Sequence, residues 1–268
     1  MTELAGSPET TPVVEEVRTE SPLLSVRHLT KSYGAVRAVD DVTLDVLEHE
    51  VLGIVGDNGA GKSTFISLLI GAEHADSGEI YFHGQSVHVS SPTVSRQALG
   101  IEVIFQDLAL APDLTVWENL YLGQELHHHR FFLDRATMRA RSDSVLQSLG
   151  TKIRATDLVN ALSGGERQLT AVARALLFDR DILLMDEPTA AVSAAKAEDV
   201  LQLIEKLKSR GKTIVLISHR LEDVLRVCGR VAIFVNGRLV YVKPASELDV
   251  GKLAHLMFET KIGEFVVG

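Results

Sequence analysis

The sequence of 268 residues has no apolar run approaching the ~18 residues that cross a bilayer, and Met1–Glu20 has neither the basic start nor the apolar centre of a leader. The chain is therefore expected in the cytosol unless a partner anchors it. It has a single cysteine, Cys228, which excludes an intrachain disulfide and a cysteine-cluster metal site and leaves that residue as a small core side chain. Positive charge is also short: 27 Lys and Arg stand against 36 Asp and Glu, a net charge of −9. Extended nucleic-acid binding rests on phosphate neutralisation by Lys and Arg, so this balance argues against a nucleic-acid partner. No internal repeat is visible, and the 46% apolar and 24% charged content suits a globular chain able to bury one full core.

Residues 1–22, rich in Thr, Pro, Glu and Ser, offer little to bury and read as a disordered acidic tail, with folding expected over 23–268. Strand candidates fall at Leu24 to His28, Val42 to Val46, Val51 to Val55 and Glu79 to Phe82, with turn residues between them. The middle changes character. Trp117 to Leu122 and Asp134 to Leu149 read as helices around a polar loop at His127 to Arg130, which marks a helical insert at about 107–172. Strand and helix alternation then resumes at Asp181 to Met185, Ser193 to Arg210, Thr213 to Ile217 and Val231 to Val235, followed by a short extension over 241–268. Three consecutive imidazoles at His127 to His129 cannot all face one ion without strain, so that stretch is read as loop rather than metal site.

Gly56-Asp57-Asn58-Gly59-Ala60-Gly61-Lys62-Ser63-Thr64 meets every position of a phosphate-binding loop, directly after the apolar run Val51 to Val55 and before a helix over Ser63 to Ile70. Glycines let backbone N–H groups turn inward around the phosphates, Lys62 reaches the β/γ oxygens, and the Ser63 hydroxyl takes a place on Mg²⁺. The helix N-terminus adds its own positive end. Downstream, Ile182-Leu183-Leu184-Met185 runs into Asp186 and Glu187, placing two carboxylates at the end of a strand, where ligands of open α/β sheets sit. Asp186 is expected to hold Mg²⁺ through its water shell, and Glu187 to orient or deprotonate the attacking water.

Ser163 and Glu166 form a capping box at the start of a helix from Glu166 to Leu177, which by itself accounts for both residues. Gly164 and Gly165 behind the cap leave that helix end bare, so its N–H groups and the Ser163 hydroxyl can close on an anion. Leu162-Ser163-Gly164-Gly165-Glu166-Arg167-Gln168 resembles the signature of the ATP-binding cassette (ABC) ATPases, and the resemblance extends from about residue 23 to 240. It implies an α/β P-loop NTPase with a mixed central sheet, an antiparallel N-terminal β-subdomain and a helical subdomain insert. It implies ATP and Mg²⁺ as ligands, held by Tyr33, Gly56, Asn58, Gly59, Gly61, Lys62, Ser63 and Thr64, and by Ser163, Gly164 and Gly165 across a pair of cassettes. Tyr33 falls where a ring stacks on adenine, and equally where a strand ends. Gln106 matches the glutamine that senses Mg²⁺ and water, and His219, in Ile217-Ser218-His219-Arg220, the histidine at the γ-phosphate; Glu187, His219 and Gln106 form the catalytic set. Ser193 stands where many members have Asp, in a loop that bridges the two cassettes.

The stretches Phe105 to Pro112 and Glu118 to Gly123 are similar to those of cassettes from bacterial importers of pentoses and hexoses. This implies a second cassette, membrane permease subunits, an extracytoplasmic sugar-binding protein and a peripheral place on the cytoplasmic face of the membrane. Leu108, Leu110, Leu114 and Trp117 are candidates for the groove that receives the permease, and for Trp117 the insert core is an equal alternative. A soluble ABC ATPase of iron–sulfur assembly or nucleic acid, and an importer of an autoinducer, nucleoside or polyol, are the competing readings. One cysteine, an acidic chain and the lack of a coiled-coil insertion argue against the soluble alternative.

Overall fold

Alternating apolar and polar residues fold Leu24–Tyr33 (β1) and Val36–Val46 (β2) into an antiparallel pair that turns between Tyr33 and Val36. The other edge of β1 pairs with Ser77–Phe82 (β4), which leads into Gln85–Val87 (β5), so the first sheet has the order β2-β1-β4-β5. This computed structural model describes residues 22–104, 108–128, 132–190 and 194–265. The expected N-terminal tail (save Pro22), Gln106, Ser193, His129 and Arg130 lie outside the described residues.

A second sheet of six strands carries the site. Val51–Val55 (β3), Ile101–Ile104 (β6), Ile182–Asp186 (β9), Thr213–Ile217 (β10) and Arg230–Val235 (β11) run parallel, and Arg238–Pro244 (β12) is antiparallel on β11, giving the order β12-β11-β3-β10-β9-β6. Every residue of β3 and β10 is buried, as unbroken apolar runs require when both faces of a parallel sheet are covered. Successive residues feed opposite cores. Leu52, Ile54, Leu184, Val215 and Phe234 join the antiparallel sheet and the helix Lys62–Leu69 (α1) on one side. Val51, Leu183, Met185, Leu216 and Ile233 join the helices Gly164–Leu177 (α5), Ala194–Ser209 (α6) and Leu221–Val227 (α7) on the other.

A short helix, Pro92–Ala98 (α2), opens with Ser91 accepting from the Val94 N–H and with proline in its first turn, where a missing N–H costs nothing. The helices Val116–Tyr121 (α3) and Arg135–Ser148 (α4) pack on each other and on α5. Trp117 settles into this packing, 4% exposed with the Arg139 guanidinium 5.3 Å from its ring centre, so the structure places it in the insert core. Leu108 and Leu110 are half-buried against the same cluster. Within the expected polar loop at His127 to Arg130, the first two residues are corrected: His127–His128 (β7) form a short strand that pairs antiparallel with Phe132–Leu133 (β8). The base of this pair is closed by the Asp134 N–H donating to the Leu126 carbonyl at 2.8 Å and by His128 Nε2 lying 2.9 Å from Asp134 Oδ2. The polar composition that reads as loop belongs to an exposed ladder.

The C-terminal stretch contains a helix that the sequence reading does not anticipate, Val250–Phe265 (α8). Asp249 caps it, accepting from the Lys252 N–H at 2.8 Å, and Leu253 is fully buried where α8 packs on α7 and β11. Among the described residues, no helix is long and apolar enough to cross a membrane.

Candidate functional site

The turn between β3 and α1 is shaped by two glycines that no other residue could replace without moving backbone. Gly56 has φ +157 and Gly61 φ +97; a Cβ on Gly56 would lie 2.4 Å from the Phe234 carbonyl oxygen, and one on Gly61 2.1 Å from the Ala38 carbonyl oxygen. Gly59 also has positive φ but faces open space, leaving the loop's outer surface bare. Lys62 is the first residue of α1 and is 8% exposed; its Nζ donates to the Gly56 carbonyl at 2.6 Å and the Asp57 carbonyl at 2.9 Å. Burial lowers its pKa from the ordinary lysine value, against the opposing pull of Glu187, Asp186 and Asp57. A cation whose charge is held at a cost, inside a ring of backbone, fits a ligand carrying several negative oxygens. Ser63 follows it and is exposed, and Thr64 is half-buried.

Two strands along the sheet, β9 delivers the acids. Asp186 is its last residue, and its pKa is raised by burial and then by the adjacent Glu187 carboxylate, with Lys62 acting in the opposite sense. Glu187 turns out of the strand with φ +51, a left-handed conformation that is uncommon for a residue with a side chain. Its N–H donates to the Ile217 carbonyl at 2.9 Å, which ties the turn to the end of β10. That same strand end leads into His219, whose Nδ1 lies 2.7 Å from Glu187 Oε2, while the His219 backbone N–H is 3.4 Å from the same oxygen. Glu187 is mostly buried and the His219 side chain is 58% exposed, so the pair faces outward at the carboxyl end of the parallel strands.

Neighbouring side chains hold this turn, and the motif reading gives them no role. Gln168 on α5 donates from Nε2 to the Pro188 carbonyl at 2.9 Å, and the buried Thr189 hydroxyl donates to Asp223 Oδ2 at 2.8 Å. Gln168 sits one turn into α5, the helix capped by Ser163, so the capped helix and the acid turn are mechanically joined. The signal in sequence is only that Gln168 ends the signature-like stretch.

The capping box at Ser163 is present: Glu166 N–H approaches the Ser163 hydroxyl at 3.4 Å, and the Ser163 N–H donates to Glu166 Oε2 at 2.8 Å. The helix opens at Gly164 rather than Glu166, so both glycines belong to its first turn. Ser163 and Gly164 are exposed, and a Cβ on Gly164 would meet nothing within 4 Å. Tyr33 is 47% exposed at the end of β1, with Lys31 Nζ 5.4 Å from its ring centre. It lies at the turn leading to Ala38, the residue whose carbonyl abuts Gly61.

The structure thus gathers Gly56, Asn58, Glu187 and His219 around one cleft of about 550 Å³ whose far wall is α8. It does not bring Ser163, Gly164 or Gly165 to that cleft; Gly165 borders a separate cavity between α5 and α6. A glycine cradle ahead of a helix, a buried lysine head and an acid pair at the carboxyl end of a parallel strand define a nucleoside-triphosphatase. Over residues 39–190 the sequence matches the ABC transporter family, and the chain belongs to that family, as an ATP-binding and ATP-hydrolysing cassette.

The chain is 39% identical over 249 residues to the xylose/arabinose import ATP-binding protein XylG of Sulfolobus acidocaldarius, covering 92% of this chain and 98% of that protein. It is 38% identical over 242 residues to the ribose import ATP-binding protein RbsA 3 of Rubrobacter xylanophilus, covering 90% of this chain but 48% of the relative, so it spans about half of that longer protein. Among solved structures it is similar to a dimeric bacterial ABC transporter cassette, with a TM-score of 0.70 and 26% identity over 83% of this chain and 98% of that one.

Proposed function

We propose that this chain is the ATP-hydrolysing subunit of an importer of a small carbohydrate, a pentose or hexose, working as one of two cassettes beneath separate permease subunits at the cytoplasmic face of the membrane. The observation that carries the reading is the division of the site. Gly56, Asn58, Glu187 and His219 line one cleft, with Lys62 held behind its loop by the Gly56 and Asp57 carbonyls, whereas the capped and glycine-bare helix end at Ser163 stands outside it. A helix end built to meet an anion, with the anion's cradle elsewhere on the same chain, suits a head-to-tail pair in which each copy completes the other's site. The dimeric form of the similar cassette supports this. The cargo class rests on relatives named for xylose, arabinose and ribose import, which also favours transport over a soluble role in cluster assembly.

Mg²⁺ fits the residues present: the half-buried Asp186 carboxyl sits against Glu187 with its charge disfavoured, a situation a cation relieves, and the Ser63 hydroxyl is exposed beside Lys62. When bound there, the ion would neutralise charge on the phosphate oxygens. Lys62 supports the transferring phosphoryl group, and Glu187 accepts a proton from the attacking water or holds it in line. His219 Nδ1 restrains that carboxylate, and the Ser163 end of the second cassette closes the site. ATP drives closure by binding the closed pair more tightly than the open one.

The test is a detergent pull-down of the tagged chain from its native membranes with mass spectrometry. Co-purification of a multispanning permease together with a sugar-binding protein is expected. Recovery of soluble partners alone would overturn the transport reading.

A further inference from the structure

We propose that α8 is part of the surface on which a second copy of this chain closes, with Phe258 as its apolar contact at the mouth of the catalytic cleft. The inference rests on the paired-cassette reading and adds a contact which that reading does not supply.

Three observations carry it. Ala254, Met257 and Phe258 line the same cleft as Gly56 to Asn58, Glu187 and His219, and their spacing puts them on one face of α8. The helix is a fixed wall: Leu253 is fully buried, and Leu256 and Met257 pack against the main core. Phe258, on the outer end of that wall, is 57% exposed.

The two sides of the cleft differ in chemistry. The phosphate loop, Glu187 and His219 offer backbone N–H groups, acid and imidazole, which suit phosphate and water. Ala254, Met257 and Phe258 carry no hydrogen-bond donor and no positive charge in their side chains, so a polyphosphate gains nothing from them. An aromatic ring at such a place suits a protein surface. The surface that must arrive follows from the paired-cassette reading, in which the second copy's Ser163 end approaches this cleft to meet the phosphates. In a two-fold pair the Phe258 contact is made twice, so one substitution removes two contacts.

The experiment uses the full chain in a Glu187→Gln background, which retains ATP, and follows self-association by sedimentation velocity with ATP and Mg²⁺. Glu187→Gln is expected to dimerise. Adding Phe258→Asp should weaken the dimer at least tenfold, with Phe258→Leu close to the parent, and ATP affinity titrated at protein concentrations too low for association separates loss of the contact from loss of nucleotide binding. A second readout needs no loss of function. Cys228 is buried, so a Phe258→Cys variant has one accessible thiol for an environment-sensitive fluorophore, whose emission should shift to the blue on ATP-driven association.

A Phe258→Asp protein that dimerises as tightly as its parent, or a fluorophore indifferent to association, would overturn the role of α8 while leaving the paired cassette intact. A Glu187→Gln parent that stays monomeric with ATP would overturn the pairing itself, and this inference with it. Loss of co-purifying permease without loss of the dimer would reassign Phe258 to a membrane-subunit contact.

Discussion

His219 Nδ1 lies 2.7 Å from Glu187 Oε2, two residues drawn together from the ends of neighbouring strands β10 and β9. The contact is anchored from both sides. Glu187 donates its backbone N–H to Ile217, and the His219 backbone N–H points at the same carboxylate oxygen. A carboxylate so restrained, at a residue with left-handed backbone, has few orientations left, which is the condition for a group that must direct one water at one phosphorus.

Lys62→Ala is expected to weaken ATP binding by roughly ten- to a hundredfold, since charge-assisted hydrogen bonds are worth about 1.5–3 kcal/mol each. Equilibrium titration with a fluorescent ATP analogue measures it. Affinity equal to the parent's would contradict the role of the loop.

Glu102 has a fully buried side chain on the edge strand β6, with Arg174 Nε at 2.8 Å and Arg96 Nε at 3.2 Å. Glu102→Ala leaves these guanidinium groups without their counter-charge. Breaking such a buried pair from one side costs about 3–5 kcal/mol, so the urea midpoint should fall markedly. A midpoint within error of the parent's would show that the cluster is relieved by water or repacking.

Glu198 on α6 is held down to about 2 by its hydrogen bonds to Arg226 on α7 and to Gln202. Its folded pKa lies below the ordinary glutamate value of 4.5, so its contribution is present above 4.5 and is lost as pH falls toward about 2. Thermal melts across that window should show a smaller acid-side fall in Tm for Glu198→Gln than for the parent. Parallel curves would contradict the coupling of α6 to α7 through this pair.

Burial pushes the Cys228 thiol up to about 12, and its Sγ would lie 3.0 Å from a Cβ built on Gly53. Alkylation at neutral pH should therefore follow global or local opening and not proceed in the native protein. Denaturant-dependent labelling followed by mass spectrometry tests this. Rapid stoichiometric modification without denaturant would contradict the packing around β3.

The parts of the site that are local in sequence were legible there. The glycine spacing before Lys62, the apolar run ending in Asp186 and Glu187, and the box at Ser163 each encode their geometry within a few residues, so spacing alone places them. What depends on distant partners was not. Glu102 interrupts an apolar stretch of four residues and hides β6, because its arginine Arg174 is 72 positions away. The wall contributed by Ala254, Met257 and Phe258 has no motif, since its meaning arises only when α8 packs back on α7 and β11. Sequence leaves Trp117 balanced between groove and core because an aromatic on a short amphipathic helix fits both; only its packing decides.

The measurement that tests the account most directly is ATP turnover by the parent and by Glu187→Gln, with nucleotide affinity determined on the same preparations. The account predicts retained ATP affinity and turnover lowered by ~10²–10⁴-fold, as for loss of a general base. Turnover equal to the parent's would contradict Glu187 as the residue that directs the water, and with it the site assembled at the ends of β9 and β10.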